Sequence, residues 1–188
     1  MDNSLAGKIL ISSPHIGDPR FEKSVIYMCC HDEEGAMGIQ INRPLTKLKL
    51  ADLLQDLELE GQVDTKADLD AYIGGPMSPE RGYLIHTPRL NTQDTLEINE
   101  HISVSGTLSS LKGVSEHDNI SSDAIFALGY AGWTSGQLED ELKEGAWLVF
   151  SDHDSTLIFD HPRDTLWEAV MTRIGINPSA LTGQTGQA

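Results

Sequence analysis

Basic side chains are scarce in this chain: 13 lysines and arginines stand against 29 aspartates and glutamates, for a formal net charge of -16. The imbalance is also uneven, since residues 1–50 carry six bases and six acids and residues 51–188 carry seven and 23. A molecule this acidic repels phosphate backbones unless it gathers its bases on one face, so general nucleic-acid binding is disfavoured. Cysteine is nearly absent, with only Cys29 and Cys30. Adjacent residues of a strand point to opposite faces, so a disulfide between them would be strained and would staple almost nothing. No signal-peptide pattern opens the chain, because Asp2, Asn3 and Lys8 flank too short an apolar run, and a reducing cytoplasm is the expected compartment. No stretch reaches the roughly 18 consecutive apolar residues of a membrane-spanning helix.

Catalytic signatures are missing as well. Ser12, Ser13 and His15 lack the glycine elbow that exposes a nucleophilic serine, and they read as loop hydrogen-bonders. Neither Cys-x-x-Cys nor a paired-histidine spacing accompanies Cys29, Cys30 and His31, so no metal site and no cofactor is expected. Gly74-Gly75-Pro76 has a superficial likeness to a phosphate loop, but no lysine followed by serine or threonine comes after it and no helix follows to present its N-terminus. The run Ser151-Asp152-His153-Asp154-Ser155 reads as a plain hairpin loop, since alternation sets His153 opposite both carboxylates.

What the chain does contain is a series of short apolar runs punctuated by turns, over a length that one domain accommodates. Residues 1–188 are expected to form one domain, with 179–188 as a loose tail. The landmark is Val25–Leu45: two strands, Val25–Cys30 and Ala36–Ile41, joined by a loop ending at Gly35 and stopped at Asn42-Arg43-Pro44. Gly7–Ser12 precedes it as a strand. Leu50, Leu53, Leu54 and Leu57 then repeat at helical spacing, predicting a helix from near Leu48 to before Gly61, and Gln62–Asp70 reads as a polar connection.

Further strands are expected at Ala71–Ile73, at Tyr83–His86 after a loop Met77–Gly82, at Thr95–Ile98 and at His101–Ser105, with a short helix between Gly106 and Val114 and a loop at His117–Asn119. Asp123–Ala131 is the most apolar run and predicts a strand buried on both faces, ended by a sharp turn at Gly132-Trp133. Thr134-Ser135-Gly136-Gln137 fits a capping box opening a helix that Gly145 stops. Trp147–Phe150 and Thr156–Phe159 read as strands. A last helix, Thr165–Ile174, is expected with Asp164 as cap and Gly175 as stop; Trp133, Trp147 and Trp167 are expected as core or interface aromatics. Strand pairs recur without an intervening helix, which argues against a doubly wound sheet. The fold class is therefore α+β: a mixed, mostly antiparallel, strongly curved sheet with packed helices.

In order along nearly the full length, the chain shows Gly7–Pro14, Asp18–Phe21, Gly35-Ala36-Met37-Gly38, Asn42-Arg43-Pro44, Gly74-Gly75-Pro76, Arg81–His86, Gly129–Trp133, Gly136–Glu139, Ile158-Phe159-Asp160 and Trp167 onward into Gly175-Ile176. With these stretches it resembles the YqgE/AlgH family of bacterial proteins, some of them labelled transcriptional regulators. The resemblance implies an α+β fold on a flattened, barrel-like sheet and brings no catalytic residue with it. The regulator label fits poorly here, because no helix-turn-helix with a basic second helix can be placed.

The expected function is non-catalytic: a binding or regulatory protein acting through a partner protein or a small anionic ligand, at a surface gathering Asn42, Arg43, Gly74, Gly75, Arg81 and His86. An enzyme using a solitary histidine such as His31, His86, His153 or His161 is the alternative, and it requires an oriented partner in a concave site. A DNA-binding regulator is a further, disfavoured alternative.

Overall fold

The computed structural model describes residues 4–49, 52, 69–90, 95–106, 123–151 and 155–178. Its strands are β1 Ile9–Ser12, β2 Val25–Asp32, β3 Gly35–Gln40, β4 Pro44–Lys49, β5 Asp70–Ile73, β6 Met77–His86, β7 Thr95–Glu97, β8 Ser103–Ser105, β9 Ala124–Thr134 and β10 Trp147–Phe150. The helices include α1 Gln137–Lys143, α2 Ser155–Phe159 and α3 Leu166–Arg173, with 3₁₀ turns at Pro19–Phe21 and Pro88–Leu90. The strands run in the order β10-β1-β2-β3-β9-β6-β8-β7, and β4 joins through β5. All pairings are antiparallel except β5 with β9, so the sheet is the mixed, mostly antiparallel, curved half-barrel that the strand pattern implied.

Both faces of the sheet are covered, which explains why its strands read as nearly unbroken apolar runs. Ile9, Ile11, Val25 and Tyr27 point to a core shared with α2 and α3, whereas Leu10, Ile26 and Met28 point to a second one shared with α1, Trp133 and Trp147. Cys29 is buried and Cys30 exposed, as opposite faces require. β9 is the centre: β6 pairs along one edge, while β5 and β3 follow one another along the other, at Phe126–Leu128 and Ala131–Thr134. The central hairpin is tighter than expected, with only Glu33 and Glu34 between β2 and β3, because the Asp32 carboxylate accepts the amides of Glu34 and Gly35.

Several expectations are corrected. Met77–Gly82 is not a loop but the first part of β6, bulged so that Met77 faces Tyr130 and Gly82 faces Leu128. β9 does not turn at Gly132-Trp133; it continues to Thr134 because β3 still pairs with it there. Thr134 is not a helix cap. Gly136, at φ 76°, is the N-cap of α1, and the Gln137 side chain reaches back to accept from the Thr134 amide, which is half of a capping box. Thr156–Phe159 belongs to a helix, not a strand, since a four-residue apolar run carries no period of its own and all of Leu157–Phe159 is buried. That removes the hairpin expected around residues 152–154, which themselves lie outside the described residues. Thr165, not Asp164, precedes α3, with no side-chain cap bond. Pro44 opens β4, which includes Leu48 and Lys49, so the expected helix does not begin at Leu48; Asp52 is helical, and residues 50, 51 and 53–60 of that expected helix, the helix within 107–113, the loop at 117–119 and the tail 179–188 lie outside the described residues. Gly145 and Gly175, at φ 74° and 82°, end α1 and α3 as expected.

Candidate functional site

The connection from β1 to β2 is fastened at both ends. Asp18 caps its 3₁₀ turn by accepting the Arg20 amide, and Arg20 returns a charged contact of 2.6 Å that holds the Asp18 carboxyl below the usual carboxylate range. The far end is tied by side chains of β3 and the segment after it. Asn42 accepts the Val25 amide at 2.9 Å and donates to the Lys23 carbonyl at 2.8 Å; Gln40 donates to the Ser24 hydroxyl at 2.7 Å. Arg43 donates to the Arg20 carbonyl at 2.8 Å, and the Trp167 indole donates to the Ser12 carbonyl at 2.9 Å. So tethered, Lys23 sits at φ 49°, a left-handed backbone that a lysine adopts only when its surroundings hold it.

Two adjoining hollows open beside Lys23. One, of about 450 Å³, lies between Ser13, Ile16 and Pro178; the other, of about 300 Å³, is framed by Asn42, Arg43, Arg163 and Asp164. Glu22, Lys23, Trp167 and Glu168 line both. The Lys23 ammonium stands 5.5 Å over the Trp167 ring and 2.8 Å from one Glu168 oxygen, while the other Glu168 oxygen is buried without a hydrogen bond. Arg163 is largely committed: it donates to the carbonyls of Ile158 and Phe159, lies 5.7 Å over Tyr72, and burial pushes its guanidinium down from the usual arginine range. Arg43 is different, being exposed and having no carboxylate partner among the described residues. The cleft thus offers an anchored guanidinium, an ammonium on an indole and nearby carboxylates.

The six residues expected to form one surface are placed as follows. Asn42 and Arg43 line the cleft, and Gly74 is next to them, accepting from the Gln40 amide at 2.7 Å while Ile73 donates to the Arg43 carbonyl at 2.8 Å. Gly74 and Gly75 are closed to a ligand by the chain itself: a Cβ at Gly75 would lie 2.1 Å from Tyr130 backbone, and one at Gly74 2.2 Å from the Gly129 carbonyl oxygen. They permit close strand crossing instead. Arg81 lies 5.8 Å over Tyr83 on β6, across β9 from Gly74. His86 is fully buried opposite Ala124, whereas Gly74 bonds to Leu128; four residues of β9 separate them, about 13 Å at a strand's rise. Lys23, Trp167 and Glu168 are site residues that sequence reasoning missed, and no local signal marks them, because the cleft forms only when α3 docks against the first loop.

Of the histidines with side-chain partners, His101 meets Glu100 and His161 meets Thr165 at 3.4 Å, while His31 and His86 are held more closely. His31 contacts Glu139 at 2.8 Å through Nε2 and accepts the Leu5 amide at Nδ1, bracing the first described residues against β2, and it lines neither hollow. His86 Nδ1 bonds the Thr87 carbonyl and Nε2 meets the Ser105 hydroxyl, both at 2.8 Å, with Ser105 as buried as the imidazole. Among the described residues no group of three metal-ligating side chains occurs, and no helix is long and apolar enough to cross a membrane.

A family model described as AlgH-like matches residues 9–179. A UPF0301 protein of Caulobacter vibrioides is 36% identical over 98% of this chain and 94% of its own length; one of Rhizorhabdus wittichii is 39% identical over 98% and 97%. The solution structure of the AlgH protein from Pseudomonas aeruginosa superposes with a TM-score of 0.78 at 37% identity, covering 100% of this chain and 98% of that one. A crystal structure of a Corynebacterium diphtheriae protein, at TM-score 0.68 and 18% identity over 89% and 85%, shares the fold.

Proposed function

The chain belongs to the AlgH-like family, and from that premise we propose that it acts by binding rather than catalysis, taking a small anionic ligand in the cleft between Lys23 and Arg43. The observation that carries this reading is Arg43: an exposed guanidinium, oriented by the Arg20 carbonyl and facing a hollow that also holds an ammonium. Guanidinium presents a planar fork that suits carboxylate or phosphate, and a fixed one loses less freedom on binding. Glu22, Asp164 and Glu168 around the same hollow favour a compact ligand seated between the two cations over an extended polyanion such as duplex DNA. The case against catalysis rests on burial, since the His86–Ser105 pair has no surface from which a substrate could be attacked. Two free cysteines, one of them exposed, agree with a reducing cytoplasm.

Calorimetric titration with inorganic phosphate and with succinate tests the reading. Saturable binding of at least one is expected, and Arg43→Ala should weaken it tenfold or more, about 1.4 kcal/mol. Absence of binding to the unmodified protein, or an alanine variant that binds equally well, refutes it.

A further inference from the structure

Another hollow of about 300 Å³ lies at the Pro19–Phe21 turn, meeting the larger one at Ile16 and Gly17, and its walls include Arg20, Phe21, Met77, Trp133, Glu141 and Trp147. Its rings stand nearly perpendicular to one another: Phe21 to Trp147 at 5.4 Å and 71°, Trp133 to Trp147 at 5.8 Å and 81°. A carboxylate is fixed among them. Glu141 Oε2 accepts both indole N–H groups, from Trp133 at 2.8 Å and Trp147 at 2.6 Å, and Oε1 accepts from the Gln137 amide at 2.8 Å. All three donors are neutral, and among the described residues no cation pairs with Glu141. The hollow already holds one cation against a ring, since the Arg20 guanidinium lies 5.9 Å from the Phe21 centroid while Asp18 neutralises it.

We propose that this hollow binds a quaternary ammonium group. Indole and phenyl faces attract cations through the ring quadrupole, and perpendicular rings beside a fixed carboxylate surround a positive head from several sides. The acceptor count selects the class of cation. A carboxylate has about four lone-pair positions, and three of them are occupied here. A primary ammonium or a guanidinium would bring several N–H donors to one remaining acceptor, whereas a quaternary ammonium has no N–H to satisfy and needs only charge and ring faces. The molecule's net charge of -16 draws cations toward it. This inference stands independently of the Lys23–Arg43 cleft.

The chain has three tryptophans, so a Trp167→Phe variant leaves Trp133 and Trp147 as its only indole reporters. Titration with tetramethylammonium chloride, at constant ionic strength set by sodium chloride, should change their emission saturably. The neutral isostere tert-butanol should bind at least tenfold more weakly. Glu141→Gln should weaken the ammonium at least tenfold, and Phe21→Leu, which removes a ring and leaves the carboxylate in place, about threefold. Calorimetry on the unmodified chain gives the same comparison without any substitution. No saturable response to tetramethylammonium in that calorimetry, or an equal response to tert-butanol, overturns the proposal.

Discussion

His86 has no exposed surface, and its two ring nitrogens are both engaged, by the Thr87 carbonyl and the Ser105 hydroxyl, while Ser105 also meets Thr95 at 2.9 Å. Burial lowers its pKa from the ordinary 6.5, against a smaller upward pull from the Thr87 carbonyl. The sign of the consequence follows from proton counting. Below about 6.5 the unfolded chain takes up a proton that folded His86 refuses, so its stabilisation is complete above that pH and is lost as the pH falls toward the folded value. One proton limits the slope to about 1.4 kcal/mol per pH unit. The urea midpoint should therefore drop between pH 7.5 and 5.5, and His86→Gln should make the drop shallower whatever it does to stability at pH 7.5; parallel pH profiles would contradict this. In the sequence His86 reads as a surface candidate because the two turn-bounded strand systems are expected to bring their polar residues together in one cationic patch. β8 covers that end of β6, and a pairing across nearly twenty residues leaves no trace in local alternation.

At the scale of elements, α2 is the instructive case. Five residues are far too few for a helix to persist on propensity alone. Leu157, Ile158 and Phe159 are buried in the core beneath β1 and β2, and the Arg163 guanidinium donates to the last two carbonyls, which a helix end otherwise leaves open. Arg163→Met should therefore cost about 1.5–3 kcal/mol in urea unfolding, the range for hydrogen bonds to charged groups, and Arg163→Lys should recover little because one ammonium cannot reproduce the planar fork. A loss below about 0.5 kcal/mol for the methionine variant would show that burial alone holds α2. Local pattern also explains which elements are legible. β1, β2, β3 and β10 show as apolar runs bounded by Gly, Pro or charged turns, and Gly145 and Gly175 mark two helix ends. The first part of β6 is hidden, since Ser78, Pro79, Glu80 and Arg81 have loop composition and lie in the bulge between the paired residues Met77 and Gly82.

Across the whole molecule, the sheet's curvature and covered faces can be anticipated from runs that stay apolar on both sides, but the cleft cannot. It joins Lys23 and Arg43 to Trp167 and Glu168, more than 120 residues away, and of its lining only Asn42-Arg43 stands out in the sequence as a candidate. Charge is the property that the sequence displays most openly, and it sets a last expectation. A net charge of -16 works against compaction through self-repulsion, which extends about 30 Å at 10 mM salt and about 8 Å at 150 mM. Salt also screens the favourable pairs, Asp18–Arg20, Lys23–Glu168 and Asp140–Lys143, but these are largely exposed and such pairs contribute little. Relief of repulsion should win. Raising sodium chloride from 10 to 300 mM should stabilise the fold by roughly 1 kcal/mol, a rise of about 2–4 °C in Tm for a chain of this size. Calorimetric melting at fixed pH measures it, and a flat or falling Tm would mean that the acidic excess is already neutralised within the fold.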